Sequence, residues 1–133
     1  MGKYFTIAEL CNSDTADRMG IINRLPKEYL PNVQGLINHV LDPLREWYGK
    51  PIYVNSGYRC PELNKAVGGV ENSFHVSGCA ADIDARNYEE NKKLFDYIKN
   101  NLPFTEVGWE GGGRWIHVAL VPGRESEKEV FYA

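Results

Sequence analysis

The side chains able to do chemistry are concentrated in two short stretches. Ser73-Phe74-His75-Val76-Ser77-Gly78-Cys79-Ala80-Ala81-Asp82 carries a histidine and an aspartate separated by small residues, and Trp115-Ile116-His117-Val118 brings a second histidine from far along the chain. Two imidazoles and one carboxylate are a complete protein ligand set for catalytic Zn2+, which keeps its fourth position open for water. Gly78 and its small neighbours allow the chain to turn back, so that Asp82 approaches the same ion as His75 while His117 arrives from another strand. Spacing alone leaves a second reading open, because a strand or loop histidine near an aspartate is often just a hydrogen-bonded structural residue. The chain has 3 histidines. The third, His39, lies between Ile37 and Val40 on an apolar helical pattern and is assigned a structural role.

The elements that must position these residues follow from periodicity and punctuation. Thr6-Ile7-Ala8-Glu9 has the form of a capping box and opens a short helix to about Cys11. From Pro31, the residues Val33, Leu36, Ile37, Val40, Leu41, Leu44 and Trp47 recur at helical spacing and predict the main core helix. Pro43 should kink that helix, and Gly49 should end it. Pro51–Asn55 reads as a strand, and Tyr58–Gly78 as a long, partly irregular connection with a helical turn near Pro61–Lys65. Ala80–Asp84 is a second strand. Asn87-x-x-Glu90 then caps a helix that buries Leu94, Phe95, Tyr97 and Ile98. A hairpin is expected to close the pattern, with Phe104–Trp109, the turn Glu110–Gly113, and Arg114–Leu120. The whole is a single α+β domain over residues 1–133, with a small, largely antiparallel sheet and helices packed on one face.

Composition narrows the function classes. The 133 residues carry 18 acidic and 15 basic side chains, a formal charge of -3. Basic residues are scattered, so there is no electrostatic footprint for nucleic acid or anionic lipid. No apolar run approaches the roughly 18 residues that span a bilayer, and MGKYFTIAEL lacks the order of a secretory signal, so synthesis in a cytosol without membrane insertion is expected. Cys11, Cys60 and Cys79 form no CxxC pair and read as small buried hydrophobes. A monomer is expected.

The motif from Ser73 to Asp82 fits the Ser-x-His-x-x-Gly-x-Ala-x-Asp pattern of the zinc D-alanyl-D-alanine peptidases, and Trp115-Ile116-His117-Val118 resembles their third-ligand strand. The resemblance runs from about Leu41 to Leu120 and includes Pro43-Leu44-Arg45, Asn55-Ser56-Gly57-Tyr58-Arg59 and Asn64-Lys65-Ala66-Val67-Gly68-Gly69. It is nearest to the small M15-type peptidases found in phage and prophage cell-wall lysis cassettes, which share a fold with hedgehog-type zinc domains. The resemblance implies that His75, Asp82 and His117 hold Zn2+, which lowers the pKa of water and polarises a scissile carbonyl. It places Arg59 where the family anchors a substrate carboxylate, a task suited to a planar guanidinium. A surface salt bridge is the alternative for Arg59. Ser73 matches a serine that hydrogen-bonds substrate, although a serine at that position is equally a local turn former.

The general base is where the pattern departs. Relatives often carry an acid three residues before the third histidine, but Arg114 stands there and cannot accept a proton. Glu110, at the hairpin turn, resembles the acid of the hedgehog-type domains and is preferred. Glu106 competes, because a turn over Glu110–Gly113 would put it opposite His117. Asp84 shares the face of Asp82 if the strand is regular and is given a structural reading, the alternatives being a partner that orients a zinc-bound histidine, or the ligand itself if the register is shifted. Trp109 and Trp115 either line a groove or build the core. The expected activity is zinc-dependent hydrolysis of peptidoglycan stem peptides, by a D-Ala-D-Ala carboxypeptidase or an endolysin-type endopeptidase. The alternative is a zinc-stabilised module without catalysis. Action at the cell wall would follow phage-type release.

Overall fold

The computed structural model describes residues 3–133. Two short helices open the chain, α1 (Ile7–Cys11) and α2 (Asp14–Met19). The Thr6 hydroxyl accepts from Glu9 N–H as the capping pattern requires. Helix α2 is capped by Ser13 and closed by Gly20 in the left-handed region, yet only Ala16 of its residues is buried, so it leaves no apolar stripe in the sequence.

The core helix runs as α3 (Leu30–Leu36), a π-turn over Ile37–Leu41, and α4 (Asp42–Tyr48). Where a kink was expected at Pro43, the wide turn absorbs the proline. Asp42 N–H reaches back to Ile37 O, so the turn is widened just before the residue that has no N–H to give. Asp42 also does work at a distance, since its carboxylate accepts from the backbone N–H groups of Lys3, Tyr4 and Phe5 and ties the N-terminal segment to this helix. Val33, Leu36, Ile37, Val40, Leu41 and Leu44 are buried as expected, while Trp47 is 46% exposed and stacks on Tyr97. His39 is exposed on the π-turn.

The remaining elements are β1 (Tyr53–Ser56), α5 (Pro61–Ala66), β2 (Ala80–Asp84), α6 (Tyr88–Asn101), β3 (Glu106–Glu110), β4 (Trp115–Ala119) and β5 (Glu129–Tyr132). The strands form one sheet in the order β1-β2-β4-β3-β5. All neighbours are antiparallel except β3 and β5, which are parallel. Strand β5 was not expected. It is too short to show a pattern and it forms against an edge that only the folded sheet supplies.

Alternation assigns the two faces. Ala81, Ile83, Val107, Ile116 and Val118 point into the core with the helices, against Leu94, Phe95 and Ile98 of α6. Asp82, Glu106, Gly108, Glu110, His117 and Phe131 fall on the other face. The hairpin pairs Glu110 with Trp115 and Gly108 with His117, so the turn is Gly111–Arg114, one residue further along the chain than expected, and each cross-strand partner moves by two residues. Glu106 therefore sits opposite Ala119, not opposite His117. Gly111, Gly112 and Gly113 all have positive φ, and it is this run of three that lets the turn start after Glu110.

A buried polar residue holds the hairpin to the helix. Asn91 Oδ1 accepts from Ala85 N–H, and its Nδ2 donates to Asp84 Oδ1 and to Gly113 O. Asp84 thus belongs to this junction, together with Arg86 N–H, and neither orients a metal-ligand histidine nor joins the His–Asp–His cluster. Replacing Asn91 by Ala leaves Ala85 N–H and Gly113 O without their partner in a buried place. A loss of about 2 kcal/mol is expected in urea unfolding, with an unchanged slope.

Candidate metal centre

The sheet register builds the centre. Ser56 pairs with Asp82, Asp82 with His117, His117 with Gly108, and Gly108 with Phe131. These five residues form one row across the five strands. A bulge between Val54 and Ser56 is what brings Ser56 level with Asp82. His75 comes from outside the sheet, on the turn that ends at Gly78. That glycine has a φ of 77°, and a Cβ on it would press against Val33 of α3.

The three sequence-predicted ligands converge. Ligand atoms of His75, Asp82 and His117 all lie within 4.8 Å of one another. His75 Nε2 is 3.3 Å, and His117 Nδ1 3.0 Å, from the same atom, Asp82 Oδ1. The far nitrogen of each ring is held from behind. His75 Nδ1 is 2.7 Å from Gly57 O, and His117 Nε2 is 2.6 Å from Glu106 Oε2. An acceptor behind each imidazole takes the outer N–H, so that the inner nitrogen, once free of any proton, can offer its lone pair to a metal, the arrangement metal-binding histidines require. The donor set of two nitrogens and one oxygen suits Zn2+ with an open position. Among the described residues no other such cluster occurs.

Electrostatics agree with the geometry. Burial pushes the Asp82 carboxyl up, but hydrogen bonds from His117 and His75 outweigh it and hold the group well below the usual carboxylate range. Burial opposes a charge on His117, and its contacts with Asp82 and Glu106 overcome that and raise it to about 9. Arg59 is 14% exposed, which excludes a surface salt bridge. Its Nε donates to Ser56 Oγ, its Nη1 to Asn64 Oδ1, and its Nη2 lies 3.5 Å from Asp82 Oδ2. A guanidinium has five N–H donors, so these bonds leave others for an incoming carboxylate.

The cluster opens into a cleft of about 410 Å³ that Arg59, Ser73, Glu106, Glu110 and Phe131 help to line. Ser73 Oγ accepts from His75 N–H, which is the turn-forming role, while the residue still faces the cleft. Glu106 meets His117 along a diagonal of the sheet, and Glu110 accepts from Trp115 Nε1 at 2.9 Å. Trp109 packs on the core against Phe95, whereas Trp115 stays on the cleft side as the partner of Glu110. Arg114 is exposed in the turn and bonds to Gly111 O, outside the residues that line the cleft. Cys79 is buried and Cys11 and Cys60 are half-buried; all three are free thiols. Phe131 carries no signal in the sequence, because its place depends on β5 pairing with an edge.

A proton must leave His117 before a metal can bind there, and this sets two opposite pH trends. In the metal-free protein the raised pKa adds stability that is complete below the unfolded value of 6.5 and is lost as pH rises through about 9. Metal affinity instead rises with pH and levels off near 9. Below that, displacement of one proton should weaken Zn2+ binding about tenfold per pH unit. Calorimetry in buffers of different ionisation heat should record the released proton.

The Peptidase M15 family model matches residues 3–119. Over 78 residues the chain is 38% identical to a protein of Streptomyces albus G named zinc D-Ala-D-Ala carboxypeptidase, a stretch that covers 56% of this chain and 30% of that protein. The family match takes in the three clustered ligands, Arg59 and both cleft glutamates, and by that match the chain belongs to the peptidase M15 family.

Proposed function

We propose that the protein is a zinc-dependent peptidase that removes the terminal D-alanine from peptidoglycan stem peptides. The observation that carries this reading is the convergence of His75 Nε2 and His117 Nδ1 on Asp82 Oδ1, with the opposite nitrogen of each ring held by an acceptor. Zn2+ held by these three residues supplies Lewis acidity that polarises the scissile carbonyl and makes water nucleophilic near neutral pH. The name of the Streptomyces albus G relative supports the substrate class.

The remaining roles follow from position. Arg59, beside the cluster and with N–H donors to spare, pairs with the free carboxylate of the stem peptide. Ser73 at the cleft wall hydrogen-bonds the peptide backbone. Glu106 is engaged as the acceptor behind His117, so it acts as a positioning residue. Glu110 lies on the same face, is not engaged by a ligand histidine, and serves as the general base that takes the proton of the attacking water and returns it to the leaving amine. The substrate lies outside the cytoplasmic membrane, so the reading places the action at the wall.

Mass spectrometry of muropeptides incubated with the protein, with Zn2+ and with chelator in parallel, is the test. Zinc-dependent loss of one alanine is expected. Splitting of the stem or cross-bridge would make the enzyme an endopeptidase, and unchanged muropeptides from several wall types, with metal bound, would make it a zinc module without catalysis. Glu110→Gln should lower kcat by about 10²–10⁴ with metal affinity retained. Glu106→Gln should instead act chiefly on metal affinity, by about tenfold.

A further inference from the structure

The matched family region ends at residue 119, and the chain continues through β5 back into the cleft. Strand β5 pairs with β3 so that Phe131 stands beside Gly108, and on the other side of Gly108 stands His117. His117 and Phe131 are two strands apart, which separates their backbones by about 9–10 Å. Side chains at that separation normally have a third between them. Here the third residue has none, and the two rings meet across it with centroids 5.7 Å apart at 48°. A Cβ on Gly108 would run into the Phe131 ring, so the glycine and the phenylalanine are fitted to each other.

We propose that Phe131 is a positioning residue of the metal centre, its ring holding the His117 imidazole through the gap left by Gly108 so that Nδ1 faces Asp82 while Nε2 faces Glu106. Glu106 at Nε2 and Asp82 at Nδ1 both hold the imidazole, but the Asp82 contact would be given up when Nδ1 turns to a metal, and Glu106 alone leaves the ring free to rotate about that axis. A packed ring beside it removes the rotation. The two contacts do different things, and both are needed to aim a lone pair at a metal. Phe131 also borders the cleft, so it shields the side of His117 that would otherwise meet water.

This inference rests on the proposed zinc function, and its test reads metal affinity separately from turnover. Zn2+ affinity of the 133-residue chain is measured by competition with a chromophoric chelator, with circular dichroism to confirm folding. Phe131→Ala should bind Zn2+ about tenfold more weakly. Tyr132→Ala, on the same strand but on the opposite face against Phe95, should bind as the wild type does. Gly108→Ala should also weaken binding by displacing the ring, and Gly108→Ala combined with Phe131→Ala should be no worse than Phe131→Ala alone. Wild-type affinity in Phe131→Ala would overturn the proposal, as would an equal loss in Tyr132→Ala or additive losses in the double variant. Should Phe131→Ala not fold, Gly108→Ala decides, and unchanged affinity there is the overturning result. A wild-type protein that binds no Zn2+ ends both readings, whereas one that binds Zn2+ without cleaving muropeptides ends only the peptidase reading.

Discussion

One row of cross-strand neighbours, Ser56–Asp82–His117–Gly108–Phe131, is the constraint on which the rest of the molecule depends. Side chains alternate faces along a strand, so a slip of one residue in any pairing would send Asp82 or His117 into the apolar core and a core valine or isoleucine into the cleft. The buried face resists such a slip because Ala81, Ile83, Ile116 and Val118 are all inside it. The hydrophobic core therefore sets the registration of the polar site. The His–Asp–His cluster on one face is aligned by packing on the other.

Asp82 is the electrostatic centre of that row. Both imidazoles and the Arg59 guanidinium face its carboxylate, and these contacts keep it charged although it is largely buried. Removing a buried charge's partners is costly, so the cluster is held together as a unit. Ser56 and Asn64 hold Arg59, and Gly57 O holds His75, so the connection after β1 supplies supports for two separate members of the site. The long loop from Tyr58 to Gly78 is ordered by these bonds and by Asn64 Nδ2 to Val70 O.

Glu106 and Glu110 show how position separates two carboxylates on one strand. They share a face, and Gly108 between them faces His117. The diagonal reach of Glu106 lands on His117 Nε2, whereas Glu110 meets Trp115 Nε1. The first stands behind a histidine of the clustered triad and the second stands in front of the cleft. The tail closes the remaining side, as Arg124 packs over the ring of Phe74 and Phe131 covers Gly108.

Much of this was legible in the chain itself. The ligand types His75, Asp82 and His117, the capping box at Thr6, the apolar stripe of the core helix and the α+β order of elements all follow from local patterns, because residue chemistry and helical or strand periodicity are local properties. Other features were decided only on folding. The hairpin register depended on where three consecutive glycines could turn; the turn moved by one residue and the cross-strand partners by two, so Glu106 reached His117 by a diagonal and not from directly opposite. The π-turn before Pro43 arose from a lost N–H and a packed helix acting together. Asp84, a neighbour of the ligand Asp82 in sequence, was drawn to Asn91 and the helix junction. Strand β5 and Phe131 exist as part of the centre only because the edge of β3 offers backbone partners and Gly108 offers a space, and neither is visible until strands distant in sequence stand side by side.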